Sequence, residues 1–253
     1  MSVIPNELTD QVALVTGASS GIGEATAEAL AANGASVALA ARREDELAEL
    51  ADRIESDGGD ALVIPTDVTD ESQVETMVET AHEESGRLDI LVNNAGVMLL
   101  ERVEDADTGY FRQMAEVNLL GLMNATHAAL PIIQDQGEGH VVNLSSVAGR
   151  KAYAGSSAYN ATKFGVNGFT EALRQEVTDN SRIRTTLIEP GAVDTELPDH
   201  IPSNDQQEQI QGMMESMAPL TGEDIARSIL YAVTQPPHVD VNEILIRPTE
   251  QEL

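Results

Sequence analysis

Seven short, mostly apolar runs recur along this chain, and a stretch with helical spacing separates each from the next. The runs are Val12–Val15, Val37–Ala41, Ala61–Ile64, Leu88–Val92, Val141–Leu144, Thr185–Ile188 and Glu243–Ile246. Segments this short, with little polar alternation, suit strands covered on both faces, which is the condition of a parallel sheet. The intervening stretches near 23–32, 44–56, 72–84, 108–130, 159–178 and 222–235 supply one crossover each. Parallel strands joined by right-handed helical crossovers give an α/β, doubly wound, seven-stranded parallel sheet with helices on both faces. No repeat or linker interrupts the rhythm, so residues 1–253 read as one domain. The segment at about 196–219, rich in Gln, Met and Pro, has neither strand nor core-helix character. Long connections of this kind are commonly functional, and here a substrate lid is expected.

Composition narrows what such a fold can do. Fourteen basic residues against 43 acidic ones give a net charge of −29, which repels nucleic acids and anionic membrane surfaces alike. With no cysteine, disulfides, thiolate metal sites and cysteine nucleophiles are excluded. The five histidines are too scattered for ligand spacing, so no metal is expected. No basic leader and no apolar run of about 18 residues is present, which points to a cytoplasmic protein without a membrane segment. Only Lys151 and Lys163 are lysines, aromatic residues make up 3% and there is no Trp. A self-repelling acidic shell with few ammonium groups is expected of a salt-adapted, halophilic protein, since concentrated counterions screen it.

In an open parallel sheet, ligands gather beyond the carboxyl ends of the strands, and three motifs stand there. Thr16-Gly17-Ala18-Ser19-Ser20-Gly21-Ile22-Gly23 follows the first strand and opens a helix. Glycines allow a tight turn and close approach to a pyrophosphate, whose charge meets the amides at the helix start. The spacing differs from the common Gly-x-Gly-x-x-Gly. Asn93-Asn94-Ala95-Gly96 ends the fourth strand with small and amide residues, where a cofactor could lie close. Past the fifth strand come Ser145-Ser146 and then Tyr159 and Lys163, one helical turn apart. A chain with four Tyr and two Lys holds about 0.03 such pairs by chance.

Taken in order, Thr16-Gly17-x3-Gly21-x-Gly23, Asp67-Val68, Asn93-Asn94-Ala95-Gly96, Asn118, Ser146, Tyr159-x3-Lys163 and Glu189-Pro190-Gly191-x-Val193-x-Thr195 resemble the short-chain dehydrogenase/reductase family over essentially the whole length. The resemblance implies a Rossmann-type fold and an oxidoreductase that moves a hydride between NADP(H) and a secondary alcohol/ketone or aldehyde. It assigns Ser146, which lies 13 positions before Tyr159, as the serine that binds the substrate oxygen. It implies that Tyr159 exchanges the proton, that Lys163 also holds the nicotinamide ribose, and that Asn118 positions a relay water. Pro190, Gly191, Val193 and Thr195 would secure the carboxamide, Asp67 and Val68 the adenine, and Ser19, Ser20 and Ile22 the phosphates. A phenol ordinarily titrates at ~10; the Lys163 ammonium ~4 Å away at an effective dielectric of ~20 contributes ~4 kcal/mol, enough, helped by the cationic oxidised nicotinamide, to bring Tyr159 towards ~7.

NAD-specific members of the family carry an acidic residue at the position that is Ala41 here. The next residues, Arg42 and Arg43, offer the planar fork that suits a 2′-phosphate, so NADP is expected in preference to NAD. By resemblance Met98, Val147, Tyr153, Ala192, Leu197 and Met213, Met214 and Met217 line the substrate end, an apolar set suited to a neutral carbonyl. The resemblance implies that the last strand, with Ile244 and Ile246 on an edge otherwise exposed, and its neighbouring helix meet symmetry mates, so a homotetramer is expected, with a dimer as the fallback. The competing readings are a regulatory or structural protein that keeps the fold without turnover; an intact Ser146, Tyr159 and Lys163 argues against the first, and a structural subunit would need no apolar lid at 196–219.

Overall fold

The structure, a computed structural model, describes residues 7–177 and 182–252. Its strands are β1 Val12–Thr16, β2 Ser36–Ala41, β3 Asp60–Pro65, β4 Ile90–Asn93, β5 Glu138–Leu144, β6 Arg182–Pro190 and β7 Glu243–Ile246. They form one seven-stranded parallel sheet, as the apolar runs predict, in the order β3-β2-β1-β4-β5-β6-β7. Its helices are α1 Gly21–Ala32, α2 Glu44–Ser56, α3 Glu71–Ser85, α4 Thr108–Ala115, α5 Leu122–Gln136, α6 Ser157–Val177, α7 Asn204–Glu215 and α8 Gly222–Val233.

Side chains alternate across β1, and each parity has its own helical cover. Ala13 and Val15 pack with Leu30 of α1, Leu47 and Leu50 of α2 and Ile225 and Ile229 of α8. Leu14 faces the other way, onto Met77 of α3, Ala129 and Ile133 of α5 and Leu173 of α6. Burying both faces is what made the runs nearly all apolar. The four apolar residues that α2 buries, Leu47, Leu50, Ala51 and Ile54, form one stripe, and the other face is charged, as a surface helix requires.

Two elements differ from expectation. The single helix predicted over 108–130 is α4 and α5 joined by a π-helical turn, Glu116–Gly121. This wider turn seats Gly121 against β3's following loop, where a Cβ would stand 2.9 Å from the Val68 carbonyl oxygen, and it faces Asn118 inward. The segment 196–219 contains a 3₁₀ turn, Leu197–His200, and α7, whose cap is Ser203. No residue of α7 is buried, so its sequence lacks the apolar stripe by which a core helix is recognised.

Candidate active site

The winding direction of the sheet reverses between β1 and β4, and a cleft of about 750 Å³ opens there at the carboxyl ends of the strands. Every residue proposed for cofactor or catalysis lines it except Gly23 and Asn118, which sit directly behind the wall. Among the described residues no three His, Asp or Glu side chains converge as metal ligands, and no helix is long and apolar enough to cross a membrane.

Gly17 and Gly21 take positive φ, +66° and +59°, the region glycine enters without strain. Gly23 is required for a different reason: a Cβ there would lie 2.2 Å from the Gly17 carbonyl oxygen. The Asn94 side chain donates to the carbonyls of Thr16 (2.9 Å) and Gly17 (3.1 Å), and the Asn94 and Ala95 amides donate to Thr16 Oγ1. Asn94 therefore fastens the glycine turn to the end of β4, a role that its position in a small-residue turn did not disclose. Ser20 caps α1 in extended conformation without a side-chain cap bond, which leaves the first-turn amides directed at the cleft with their positive dipole end.

Ser146 stands just past β5. Its hydroxyl accepts from the Ala148 amide at 3.1 Å, donates to the Pro190 carbonyl at 3.4 Å and lies beside Tyr159. Ser145 is committed elsewhere, to Asn167 and the Lys163 carbonyl. Tyr159 and Lys163 lie on α6 with relative exposures of 7% and 5%. Lys163 Nζ donates to the Leu144 carbonyl at 2.9 Å and lies 5.7 Å from the Tyr159 ring centroid. Burial pushes Tyr159 up to about 12, with the neighbouring Ser146 hydroxyl opposing, and pushes Lys163 down to about 8. Without a cofactor the phenol thus moves opposite to the descent towards 7 expected beside Lys163 and the oxidised nicotinamide, because desolvation dominates and the ammonium is turned to a backbone carbonyl.

Asn118 lies in the π-helical turn at 1% exposure. Its Oδ1 accepts from the Val97 amide at 2.7 Å, and its Nδ2 donates to the Val97 carbonyl at 2.9 Å and to Thr162 Oγ1 at 3.3 Å. Thr162 in turn donates to the Tyr159 carbonyl, so Asn118 ties the β4 loop to the helix that carries the tyrosine. Irregular π turns of this kind recur at functional sites.

At the β2 end of the cleft, Ala41 closes the strand without a carboxylate and Arg42 and Arg43 follow, both exposed. Arg43 donates through Nε to Ser19 Oγ and through Nη2 to the Ser19 carbonyl, each at 3.2 Å, and pairs through Nη1 with Glu196 at 3.1 Å. Asp67 accepts from the Thr69 amide and hydroxyl, shaping the turn that presents Val68. At the opposite end Met98, Val147, Tyr153, Ala192, Leu197, Met213, Met214 and Met217 line the cleft, together with Gln206, Gln209 and His200, which sequence reasoning did not single out. Gln251 was also missed. Its Oε1 accepts from the Ala192 amide at 2.9 Å, pinning the Pro190-Gly191 turn; nothing in an isolated Gln near a terminus signals this.

Known proteins carry the same architecture. An uncharacterized oxidoreductase of Staphylococcus saprophyticus is 42% identical over 98% of this chain and 100% of its own length. A closed serine dehydrogenase complexed with NADP+ superposes with a TM-score of 0.89 at 32% identity, covering 96% of this chain and 97% of that one. A short chain dehydrogenase/reductase from Burkholderia phymatum in complex with NAD gives 0.87 at 28% identity, with 94% and 89% covered. The profile of the short chain dehydrogenases matches residues 11–206, which takes in the glycine turn, Ser146, Tyr159 and Lys163, and the chain belongs to that family.

Proposed function

We propose that the protein is an NADP(H)-dependent oxidoreductase that interconverts a secondary alcohol and its ketone, or reduces an aldehyde. The observation that carries this reading is the convergence of Ser146, Tyr159 and Lys163 with the glycine turn on one cleft. The chain fits a dinucleotide: backbone at Gly17 and Gly23 is too close-packed for a Cβ, the α1 amides face the cleft, and Lys163 keeps two N–H donors beyond its bond to Leu144. When bound, the nicotinamide supplies or accepts the hydride at the carbonyl carbon. Ser146 Oγ holds the substrate oxygen, and Tyr159 Oη donates its proton to the developing alkoxide. A phenol at about 12 stays protonated through neutrality, which is the form that carbonyl reduction needs. Asn118 acts as a positioning residue through Val97 and Thr162.

The substrate end has Met, Leu and Tyr but no arginine, which favours a neutral carbonyl over a carboxylate. Residues 196–219 serve as the lid: Ile201 and Ile210 pack with Leu100, Met114 and Tyr159 in one apolar cluster. A panel of ketones, aldehydes and alcohols screened with both phosphorylated and unphosphorylated cofactors tests the activity. Absence of turnover with all of them would leave the regulatory or structural reading.

Three outcomes are expected. Arg42→Ala with Arg43→Ala should raise the Michaelis constant for NADPH about tenfold and leave that for NADH near its starting value, since only the 2′-phosphate loses partners. Burial holds Lys163 at about 8, so its ammonium is present below that pH and lost as pH rises through it. The quantity kcat/KM reports the free enzyme; for reduction it should fall above about pH 8, and Lys163→Arg, whose charge persists, should lose that fall even if slower overall. Light scattering should give a homotetramer, with a dimer as the fallback. In support, the edge strand β7 and its neighbour α8 expose Leu245 and Tyr231. The acidic, lysine-poor composition supports a cytoplasmic protein adapted to concentrated salt, so that measurement belongs in molar KCl, where a monomer would contradict the assembly.

A further inference from the structure

One of the two guanidinium groups at the β2 end of the cleft is already held by a carboxylate of the chain itself. Arg43 grips the glycine turn through Ser19 and reaches across the cleft mouth to Glu196 at 3.1 Å. Glu196 immediately follows Thr195 of the Pro190–Thr195 motif and immediately precedes the 3₁₀ turn Leu197–His200 that leads into α7. Arg43, Ser19 and Glu196 all line the same cleft. Both partners of the pair are about half exposed, at 45% and 54% of the side chain, so either can exchange partners without unpacking the core.

We propose that Glu196 is a specificity-determining residue: an internal competitor for the 2′-phosphate, which occupies Arg43 in the cofactor-free protein and must yield it to a phosphorylated cofactor. The inference rests on the reading that Arg43 receives that phosphate. A planar guanidinium offers two N–H groups along one edge to a carboxylate or to a phosphate, and Arg43 has its Nε and Nη2 on Ser19, leaving Nη1 as the group that Glu196 holds. A cofactor without the 2′-phosphate makes no demand on that group. Glu196 therefore weakens NADP(H) selectively and narrows its advantage over NAD(H). The pair is exposed, so the expected handicap is modest: exposed ion pairs shift an equilibrium by roughly 1.5- to 5-fold.

The test is calorimetric titration of the cofactor-free protein with 2′,5′-ADP and, as the unphosphorylated probe, 5′-AMP, at low salt. Glu196→Gln should tighten 2′,5′-ADP by about 2- to 5-fold and leave 5′-AMP within error of the parent. Arg43→Ala should weaken 2′,5′-ADP, and adding Glu196→Gln to Arg43→Ala should then change nothing. That last arm separates competition from simple removal of a nearby negative charge, because a through-space effect would persist without Arg43. If Arg43→Ala leaves 2′,5′-ADP binding intact, the reading of the phosphate site itself fails. If Arg43→Ala weakens binding but Glu196→Gln matches the parent, or if the gain survives in the double variant, competition by Glu196 is overturned.

Discussion

Replacing Tyr159 by Phe should cut carbonyl reduction by at least about 100-fold while cofactor affinity stays within about twofold of the parent. The substitution is a clean one. Tyr159 is nearly buried and packs beside Leu100, Met114 and Ile201, and Phe keeps that ring while removing only the oxygen. What disappears is the proposed proton donor, the hydroxyl beside Ser146. Cofactor affinity should hold because the glycine turn, fastened by Asn94, and the Lys163 ammonium, anchored on Leu144, make no use of the phenol oxygen. Turnover and a fluorescence titration of NADPH measured on the same preparation check both halves. Near-normal turnover would remove Tyr159 from the chemistry.

Gly23→Ala should be the most damaging single methyl group in the site. Its Cβ would stand 2.2 Å from the Gly17 carbonyl oxygen and 2.5 Å from Asn94 Nδ2. The first obstacle is backbone, so α1 and the turn must separate, and the Asn94 bonds that join them to β4 are lost with the movement. Overpacking of this kind costs about 1–3 kcal/mol, which for a chain this size lowers the melting temperature by about 2–10 °C. NADPH affinity should fall by more than about tenfold, since the amides that meet the phosphates are displaced. Gly168→Ala is the matched control. It lies inside α6 with open space at its Cβ, so the same methyl group there should raise stability by up to about 1 kcal/mol and leave binding alone. Equal melting curves for the two variants would mean that the turn gives way more readily than its contacts imply.

The sheet was legible because a strand buried on both faces has little room for polar residues; β2 and β7 match their apolar runs to within one residue at either end. The candidate Tyr159–Lys163 pair was legible for a related reason. Lysine is so rare here that Lys163, one turn from Tyr159, carried information. What escaped was whatever depends on partners distant in sequence. Asn118 reaches Val97 and Thr162, Asn94 reaches Thr16 and Gly17, and Gln251 reaches Ala192; the pairing of each exists only after folding. The phenol's titration was misjudged on the same account. Its charge environment was argued from the neighbour four residues away, whereas burial, a property of the assembled cluster, set the direction. Helix α7 escaped because none of its residues is fully buried and Ile210 alone joins an apolar cluster, which makes no stripe.

That last feature sets how this enzyme can change. Tyr159, Lys163 and Asn118 are embedded in the body, and substitutions around them disturb packing that the whole chain shares. Helix α7 contributes Gln206, Gln209, Met213 and Met214 to the cleft, yet none of its side chains is buried, so exchanges along it fall in the range where stability shifts by only about 0.5 kcal/mol. On the proposed reading, mutational drift is therefore cheap where the substrate would be recognised and costly where the proton would be moved. A lineage built on this scaffold can try new carbonyls one residue at a time without first acquiring spare stability.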